Sequence, residues 1–385
     1  MSRIILSSNT AWSLFNFRSG LIRALLDRGD KIIVIAPLDK FAKRLEEMGC
    51  QVVELPMDNK GTHPVRDLTT MLSYWRLYCR LKADVVLHFT IKPVVYGTLA
   101  ARFLGIPCIN MITGLGTVFI RETWLTQMVE ALYRVSQPGS RKVFFQNPDD
   151  QALFLSRRLV KPEVAECLPG SGLDLSRFAI SPMLTDKKLV FLLIARMLWD
   201  KGVGEFVEAA RQVKSAFPEV RFQLLGPVAA ENRTAIQRSQ VEAWVGEGVV
   251  EYLGETDDVR PFINKAHCVV LPSYREGTPR TLLEAAAMGR PVIATDVPGC
   301  REVLDDGVTG FLCRVKDPQD LAEKITQFLG LGSADRDSLG RAGRAKMERE
   351  FDERIVVARY LQAIDSILSG FNLAAGVTPA QEREH

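Results

Sequence analysis

Glu276 and Glu284 stand with seven residues between them in the stretch Ser273-Tyr-Arg-Glu-Gly-Thr-Pro-Arg-Thr-Leu-Leu-Glu-Ala-Ala-Ala-Met-Gly-Arg-Pro-Val-Ile-Ala-Thr295. Pro279 suits the first helical position and Gly289 a left-handed exit, so the stretch reads as loop, short alanine-rich buried helix, then core strand. Helical side chains lean toward the N-terminus, which turns Glu284 back toward the mouth where Glu276 stands. That mouth carries backbone N–H groups and the positive end of the helix dipole, a combination that suits a phosphate. A carboxylate accepts paired hydrogen bonds from vicinal hydroxyls, as on a ribose or a hexose. One end thus offers places for a sugar, a diphosphate and a ribose, the parts of a nucleotide-sugar.

The elements that must hold these groups alternate regularly. Ile4–Ser7, Lys31–Ala36, Gln51–Leu55, Val85–His88, Cys108–Thr113 and Lys142–Gln146 read as strands, with helices such as Phe17–Arg28, Phe41–Met48, Thr69–Lys82 and Val94–Leu104 between them. A second series follows: Leu189–Ala195, Arg221–Leu225, Val249–Leu253, Cys268–Leu271, Val292–Thr295 and Gly310–Cys313. The polar segment Ser181–Lys188 reads as a linker. This predicts an α/β protein of two Rossmann-like doubly wound domains, with ligands at the carboxyl ends of the strands and the reaction in a central cleft. The expected division is 1–180 and 181–351. Two helices, near Pro318–Leu329 and Asp337–Glu350, precede a third, Asp352–Leu368, and a small polar tail, 372–385, is expected to be disordered.

Composition narrows the classes. Length 385 suits two domains, and 47% apolar with 25% charged residues is ordinary for a soluble globular chain. Apolar runs such as Leu189–Ala195 are too short to span a bilayer, and the start, Ser2-Arg-Ile-Ile-Leu-Ser-Ser, reads as a first strand and not as a secretory signal. Seven scattered cysteines without a Cys-x-x-Cys fit small core residues in a reducing cytosol. Residues 1–180 hold 23 Lys and Arg against 16 Asp and Glu, a net +7, while the remainder is net −4. A basic first half can attract an anionic membrane surface, and scatter over a solvated surface is the competing reading. Nothing points to nucleic acid.

The motif Glu276-x7-Glu284, with Gly277, Pro279 and Gly-Arg-Pro-Val-Ile-Ala-Thr-Asp296, resembles the donor-site signature of the retaining glycosyltransferases of family 4, which have the GT-B fold. Other segments resemble that family in order: Ala195-Arg196-Met-Leu-Trp-Asp-Lys201-Gly202, Gly170-Ser-Gly-Leu-Asp174, Leu253-Gly254 with Asp258-Val259, and Asp306-Gly307-x-x-Gly310-Phe311. The resemblance runs over residues 2–368 and is strongest to bacterial enzymes that extend lipid-linked surface glycans. It implies that the second domain binds the donor, that the first binds the acceptor, and that the last helix (352–369) crosses back onto the first domain.

Within that frame Arg196 and Lys201 are expected on the diphosphate, Glu276 on the donor hexose and Glu284 on the ribose. Gly277, Thr278 and Pro279 form the turn at the sugar, and Thr281 and Leu282 offer N–H groups to phosphate. Ordinary surface cations are the plain alternative for Arg196 and Lys201. The sole Asp-x-Asp, Asp335-Arg-Asp337, precedes a helix, and Asp337 reads as an N-cap. No catalytic metal and no cofactor are therefore expected, with fixed cations and a helix N-terminus taking the metal's electrostatic task. His88, after a strand, is either a hydrogen-bond partner of the donor sugar or a buried structural histidine, and Lys92 is a candidate for an acceptor phosphate. Thr113-Gly114-Leu115-Gly116 reads as a close backbone approach or a tight turn. Where many family members carry Gly-Gly near the start, this chain has Asn9-Thr-Ala-Trp-Ser-Leu-Phe-Asn-Phe-Arg18. Asn16 and Arg18 are the candidate replacements at the donor phosphate. Trp12, Phe15 and Phe17 could seat a polyprenyl-diphosphate at a membrane or simply pack in the core; Trp75, Tyr78, Trp124 and Tyr133 allow similar readings.

The expected function is a retaining transfer of a hexosyl or N-acetylhexosaminyl group from a UDP-sugar to a polyprenyl-diphosphate-linked saccharide, in the cytoplasm at the inner face of the membrane. A nucleotide-sugar epimerase of the same fold and a non-catalytic sugar-nucleotide-binding partner are the alternatives.

Overall fold

Both halves of the chain contain short Val-, Ile- and Leu-rich runs that are apolar at almost every position. Such runs demand cover on both faces, which parallel strands joined by helical crossovers provide. The computed structural model describes residues 1–57, 64–115, 124–184, 188–228, 232 and 234–374. The chain divides into two units, the first comprising Met1–Thr113, Glu122–Gly172 and the last helix from Glu353, the second Gly114–Arg121 and Leu173–Asp352.

The first unit holds β1 (Arg3–Ser7), β2 (Lys31–Ala36), β3 (Gln51–Glu54), β4 (Val85–Phe89), β5 (Cys108–Ile112), β6 (Ser140–Phe145) and β7 (Ala165–Cys167). They form one parallel sheet in the order β3-β2-β1-β4-β5-β6-β7. The second unit holds β8 (Val190–Ile194), β9 (Arg221–Leu225), β10 (Glu251–Tyr252), β11 (Cys268–Leu271), β12 (Val292–Thr295) and β13 (Gly310–Cys313). These are again parallel, in the order β10-β9-β8-β11-β12-β13. Each sheet starts in the middle, winds to one edge, returns and winds to the other. The strand order reverses between β1 and β4 and between β8 and β11, and the carboxyl ends there leave the crevice in which doubly wound sheets place ligands.

Every residue of β4, β5 and β8 is buried. The α/β, two-sheet architecture expected from the strand pattern is the observed one. β7 was not foreseen, since three half-buried residues at a sheet edge carry little pattern. Leu173 and Phe178 are buried in a core with Leu282, Leu283 and Met347, so residues 173–180 pack in the second unit rather than the first. Helix Ser333–Glu350 begins before Asp337, which pairs with Arg341 one turn on; Asp335 accepts the Gly332 N–H at 3.3 Å. Asp337 is thus not an N-cap. Helix Glu353–Ala374 packs on helix Ala11–Asp27 and on β4, burying Val356, Tyr360 and Ile364. Its backbone continues past the expected tail start at 372. Residues 375–385, linker residues 185–187 and Gly116 lie outside the described residues.

Candidate active site

Three loops meet at the carboxyl ends of the second sheet. The loop after β8, Ala195–Gly202, is locked to the loop after β11 at Gly202. This residue stands at φ +71°, and a Cβ there would lie 2.0 Å from the Pro272 carbonyl oxygen, so both backbone angle and space demand glycine. Tyr274 N–H and Ser273 Oγ both donate to the Asp200 carbonyl, at 3.0 and 3.2 Å. The loop after β12 closes on the same turn: Glu276 N–H donates to Pro298 O at 3.2 Å. Gly299, at φ +87°, comes so close that a Cβ would lie 2.5 Å from Gly277 O.

This bracing brings Lys201 Nζ to 2.5 Å from Glu276 Oε1, with the side chains 22% and 12% exposed. A charge-assisted bond between two largely desolvated groups is stronger than a surface pair. Arg196, on the same loop as Lys201, is exposed; its carbonyl accepts from the Leu198 N–H at 2.8 Å, and its side chain has no partner among the described residues. Gly277 and Thr278 are half-buried beside the pair. Helix Arg280–Ala287 follows, with Pro279 at its N-cap rather than at the first helical position, and Gly289 beyond its end at φ +75°. Glu284 is buried on this helix, and Arg280 Nε donates to its Oε1 at 3.0 Å. Burial pushes the Glu284 carboxyl above its ordinary value, with the Arg280 charge pulling against that rise.

Thr281 is half-buried in the first helical turn, whereas the Leu282 N–H donates to Pro279 O at 3.1 Å. The tight first turn therefore takes the Leu282 donor that the sequence reading had assigned to phosphate. Two supports escaped that reading. Arg280 is Glu284's partner, and its spacing of four residues is a legible signal. Tyr274 donates its hydroxyl to Glu205 Oε1 at 2.6 Å, while Lys316 Nζ lies 4.7 Å from its ring centroid. No spacing in the sequence marks that contact. Among the described residues no three His, Cys, Asp or Glu side chains gather into a metal-binding group.

The first unit corrects several expectations. His88 is completely buried. Its Nδ1 lies 2.8 Å from Asn110 Oδ1 and its Nε2 lies 2.7 Å from the Tyr78 hydroxyl. Because the Asn110 amide nitrogen donates to Gln137 and Ser140, its oxygen faces the ring; Nδ1 carries the proton and Nε2 accepts from Tyr78. Burial lowers the His88 pKa to about 4. Both nitrogens are taken, so His88 is the structural histidine and not a sugar ligand. Asn16 and Arg18 miss the expected helix start, because the helix opens at Ala11 with Thr10 as N-cap. The Asn16 amide donates to Trp12 O at 3.0 Å, and the Arg18 guanidinium is buried 4.5 Å from the Phe89 ring centroid. The Trp12 N–H donates to Asp39 Oδ2 at 2.9 Å, which places a carboxylate at the helix mouth where a donor phosphate was expected. Lys92 donates to Asp67 at 2.8 Å. Phe17 packs edge-on against Trp12, and Phe15 against Phe41.

Comparison with known proteins agrees with this architecture. Residues 3–147 match the family model described as glycosyl transferase 4-like, and residues 188–330 match that described as glycosyl transferases group 1. The chain is 28% identical over 95% of its length, and 99% of the relative's, to the Campylobacter jejuni N,N'-diacetylbacillosaminyl-diphospho-undecaprenol alpha-1,3-N-acetylgalactosaminyltransferase. It is 25% identical, over 66% of its length and 68% of the relative's, to the Escherichia coli UDP-Gal:alpha-D-GlcNAc-diphosphoundecaprenol alpha-1,3-galactosyltransferase. Among solved structures, Anabaena HepE in complex with UDP and glucose superimposes with a TM-score of 0.79, at 18% identity, over 95% of this chain and 100% of that one; this likeness concerns the fold alone. With a glycosyltransferase domain matched in each half, a relative aligned over nearly its full length and GT-B neighbours among solved structures, the chain belongs to the family-4 glycosyltransferases of GT-B fold.

Proposed function

We propose that the protein is a retaining, metal-independent glycosyltransferase that moves a hexosyl or N-acetylhexosaminyl group from a UDP-sugar to a polyprenyl-diphosphate-linked saccharide. The observation that carries this reading is the Lys201–Glu276 pair, braced at the strand-order reversal of the second sheet. A cation and a carboxylate there match the two ends of an activated sugar: negative charge builds on the departing diphosphate, and hydroxyls surround the anomeric carbon. Lys201 and Arg196 take the diphosphate charge. Glu276 accepts hydrogen bonds from hexose hydroxyls, and Glu284 from the ribose. Gly277, Thr278 and Pro279 carry the backbone past the sugar. The names of the Campylobacter and Escherichia relatives support a diphospho-undecaprenol acceptor, and the Escherichia name a UDP-sugar donor. The Lys201 cation, held by Glu276 where the diphosphate charge would build, supports chemistry without a metal. A front-face substitution, in which the leaving phosphate helps deprotonate the acceptor, needs no nucleophile on the far face of the sugar. The diphospho-undecaprenol acceptors in the relatives' names support work at the cytoplasmic face of the membrane.

The test is incubation with UDP-sugars, with and without a polyprenyl-diphosphate-sugar, in the presence and absence of a chelator. UDP release that rises with acceptor and survives chelation, with the donor's anomeric configuration kept in the product, agrees with the proposal. Epimerised donor without acceptor points to an epimerase, and donor binding without turnover to a non-catalytic partner. Loss of activity on chelation overturns metal independence.

A further inference from the structure

The helix Pro64–Leu81 is amphipathic, but its solvent side is not uniformly polar. Its inner face is fixed by hydrogen bonds. Tyr74 Oη lies 2.7 Å from Ser7 Oγ, Tyr78 Oη lies 2.7 Å from His88, and Asp67 accepts from Lys92 at 2.8 Å. That anchoring determines which residues face outward. Val65, Leu68, Leu72 and Trp75 are 65%, 54%, 41% and 45% exposed, and Cys79 is exposed in line with them. At about 100° per residue these five fall within roughly 80° of arc. Arg76, Arg80 and Arg66, all exposed, occupy roughly the next 80°. The only acid of the helix, Asp67, is on the buried side.

An exposed apolar strip with a tryptophan, bordered by a strip of arginines, is the arrangement of a helix that lies in a lipid–water interface. Apolar side chains reach the acyl boundary and guanidinium groups meet anionic headgroups. We infer that the Pro64–Leu81 helix docks the enzyme on a phospholipid bilayer containing anionic lipid. Charge selects this occupant over a second copy of the chain. An isologous contact through this face would bring arginine strips together with no acid of the same helix to neutralise them. Trp12, Phe15 and Phe17, the anchor expected from sequence, are a weaker candidate, because Phe15 and Phe17 are already packed on neighbouring rings. The docking takes its purpose from the proposed lipid-linked acceptor, but it is measured without donor or acceptor and so fails or survives separately from transfer.

The test uses the full chain and vesicles of phosphatidylcholine alone or with phosphatidylglycerol added. Co-sedimentation is compared for the wild type, for Leu68→Gln/Leu72→Gln/Trp75→Gln and for Arg76→Glu/Arg80→Glu. An environment-sensitive fluorophore on Cys79, in a Cys167→Ser background, reports insertion. The expected result is binding that favours the anionic vesicles, weakened about tenfold or more by either variant, with a fluorescence rise at Cys79. Melting temperatures stay near wild type, since the substituted residues are exposed. Unchanged partition of both variants overturns the inference. So does a wild-type dimer that the triple variant dissolves, with a Cys79 signal that rises with protein concentration and ignores lipid.

Discussion

Lys201 Nζ and Glu276 Oε1 lie 2.5 Å apart, so the cation assigned to the diphosphate is tied to the carboxylate assigned to the sugar. Under the proposed function the two groups act as one unit. Glu276→Ala is expected to lower kcat by about 100-fold or more while the fold stays intact, because a hydrogen bond to reacting sugar is lost and Lys201 loses its orientation. Lys201→Ala should raise KM for the UDP-sugar as well as lower kcat. The double variant should fall short of the product of the two single effects, since each removes part of the same interaction. UDP-release kinetics for the four proteins measure this. Independent effects would mean that the two groups do not act as one unit, and a Glu276→Ala rate near wild type would remove Glu276 from the site.

Glu284 trades stability against binding. Its carboxyl titrates above the ordinary value because burial outweighs the Arg280 charge. For an acid raised in the folded state, the stability contribution is complete below the unfolded value of 4.5 and declines as pH rises through the folded value. Glu284→Gln keeps the shape and removes the ionisation. It should therefore melt higher than wild type at neutral pH, with the difference closing below the unfolded carboxyl value. The same change removes a charged acceptor from the proposed ribose contact, so UDP should bind about tenfold more weakly. Thermal melts between acid and neutral pH, beside a UDP titration, check both halves.

His88 titrates in the opposite sense. Its pKa is lowered to about 4 from 6.5, so the neutral ring contributes stability above pH 6.5 that is lost as pH falls toward 4. Replacing it by alanine should cost about 3 kcal/mol at neutral pH, through the cavity and the unmet Tyr78 and Asn110 groups. The variant's melting temperature should also vary less between pH 6.5 and 4 than that of the wild type. If His88→Ala instead left the melt unchanged and abolished transfer, the ring would belong to the reaction after all.

The two sheets were legible because their strands are short apolar runs between helical periods, and Gly289 announced the end of the site helix. Local signals of that kind locate elements to within a few residues. What stayed illegible depends on tertiary register. Arg18 reads as a candidate for the donor phosphate until β4 brings the Phe89 ring to 4.5 Å. The partners of His88 lie ten residues upstream at Tyr78 and 22 downstream at Asn110, on elements whose faces no local pattern relates. The early start of the first helix was legible in principle, since Thr10 caps Ser13, but the aromatic run after it obscured the helical period. Of the residues expected at the donor, Lys201 and Glu276 come together. The acceptor-side expectations rested on position after a strand, which says where a loop begins but not where its side chains point.

Gly202 tests the bracing itself. It combines a left-handed backbone, φ +71°, with a space in which a Cβ would lie 2.0 Å from Pro272 O. Gly248 shares the angle, φ +73°, but has nothing within 4 Å of its Cβ position. Gly248→Ala should therefore cost only the backbone strain, about 1 kcal/mol. Gly202→Ala must also push the loop after β8 away from the loop after β11, and should cost about 2–4 kcal/mol. Because Lys201 is the neighbouring residue, the shift should raise KM for the donor several-fold in the molecules that remain folded, while Gly248→Ala leaves KM unchanged. Denaturant melts and donor-saturation curves separate the two contributions. Equal effects at both glycines would mean that the contact with Pro272 does not position the lysine.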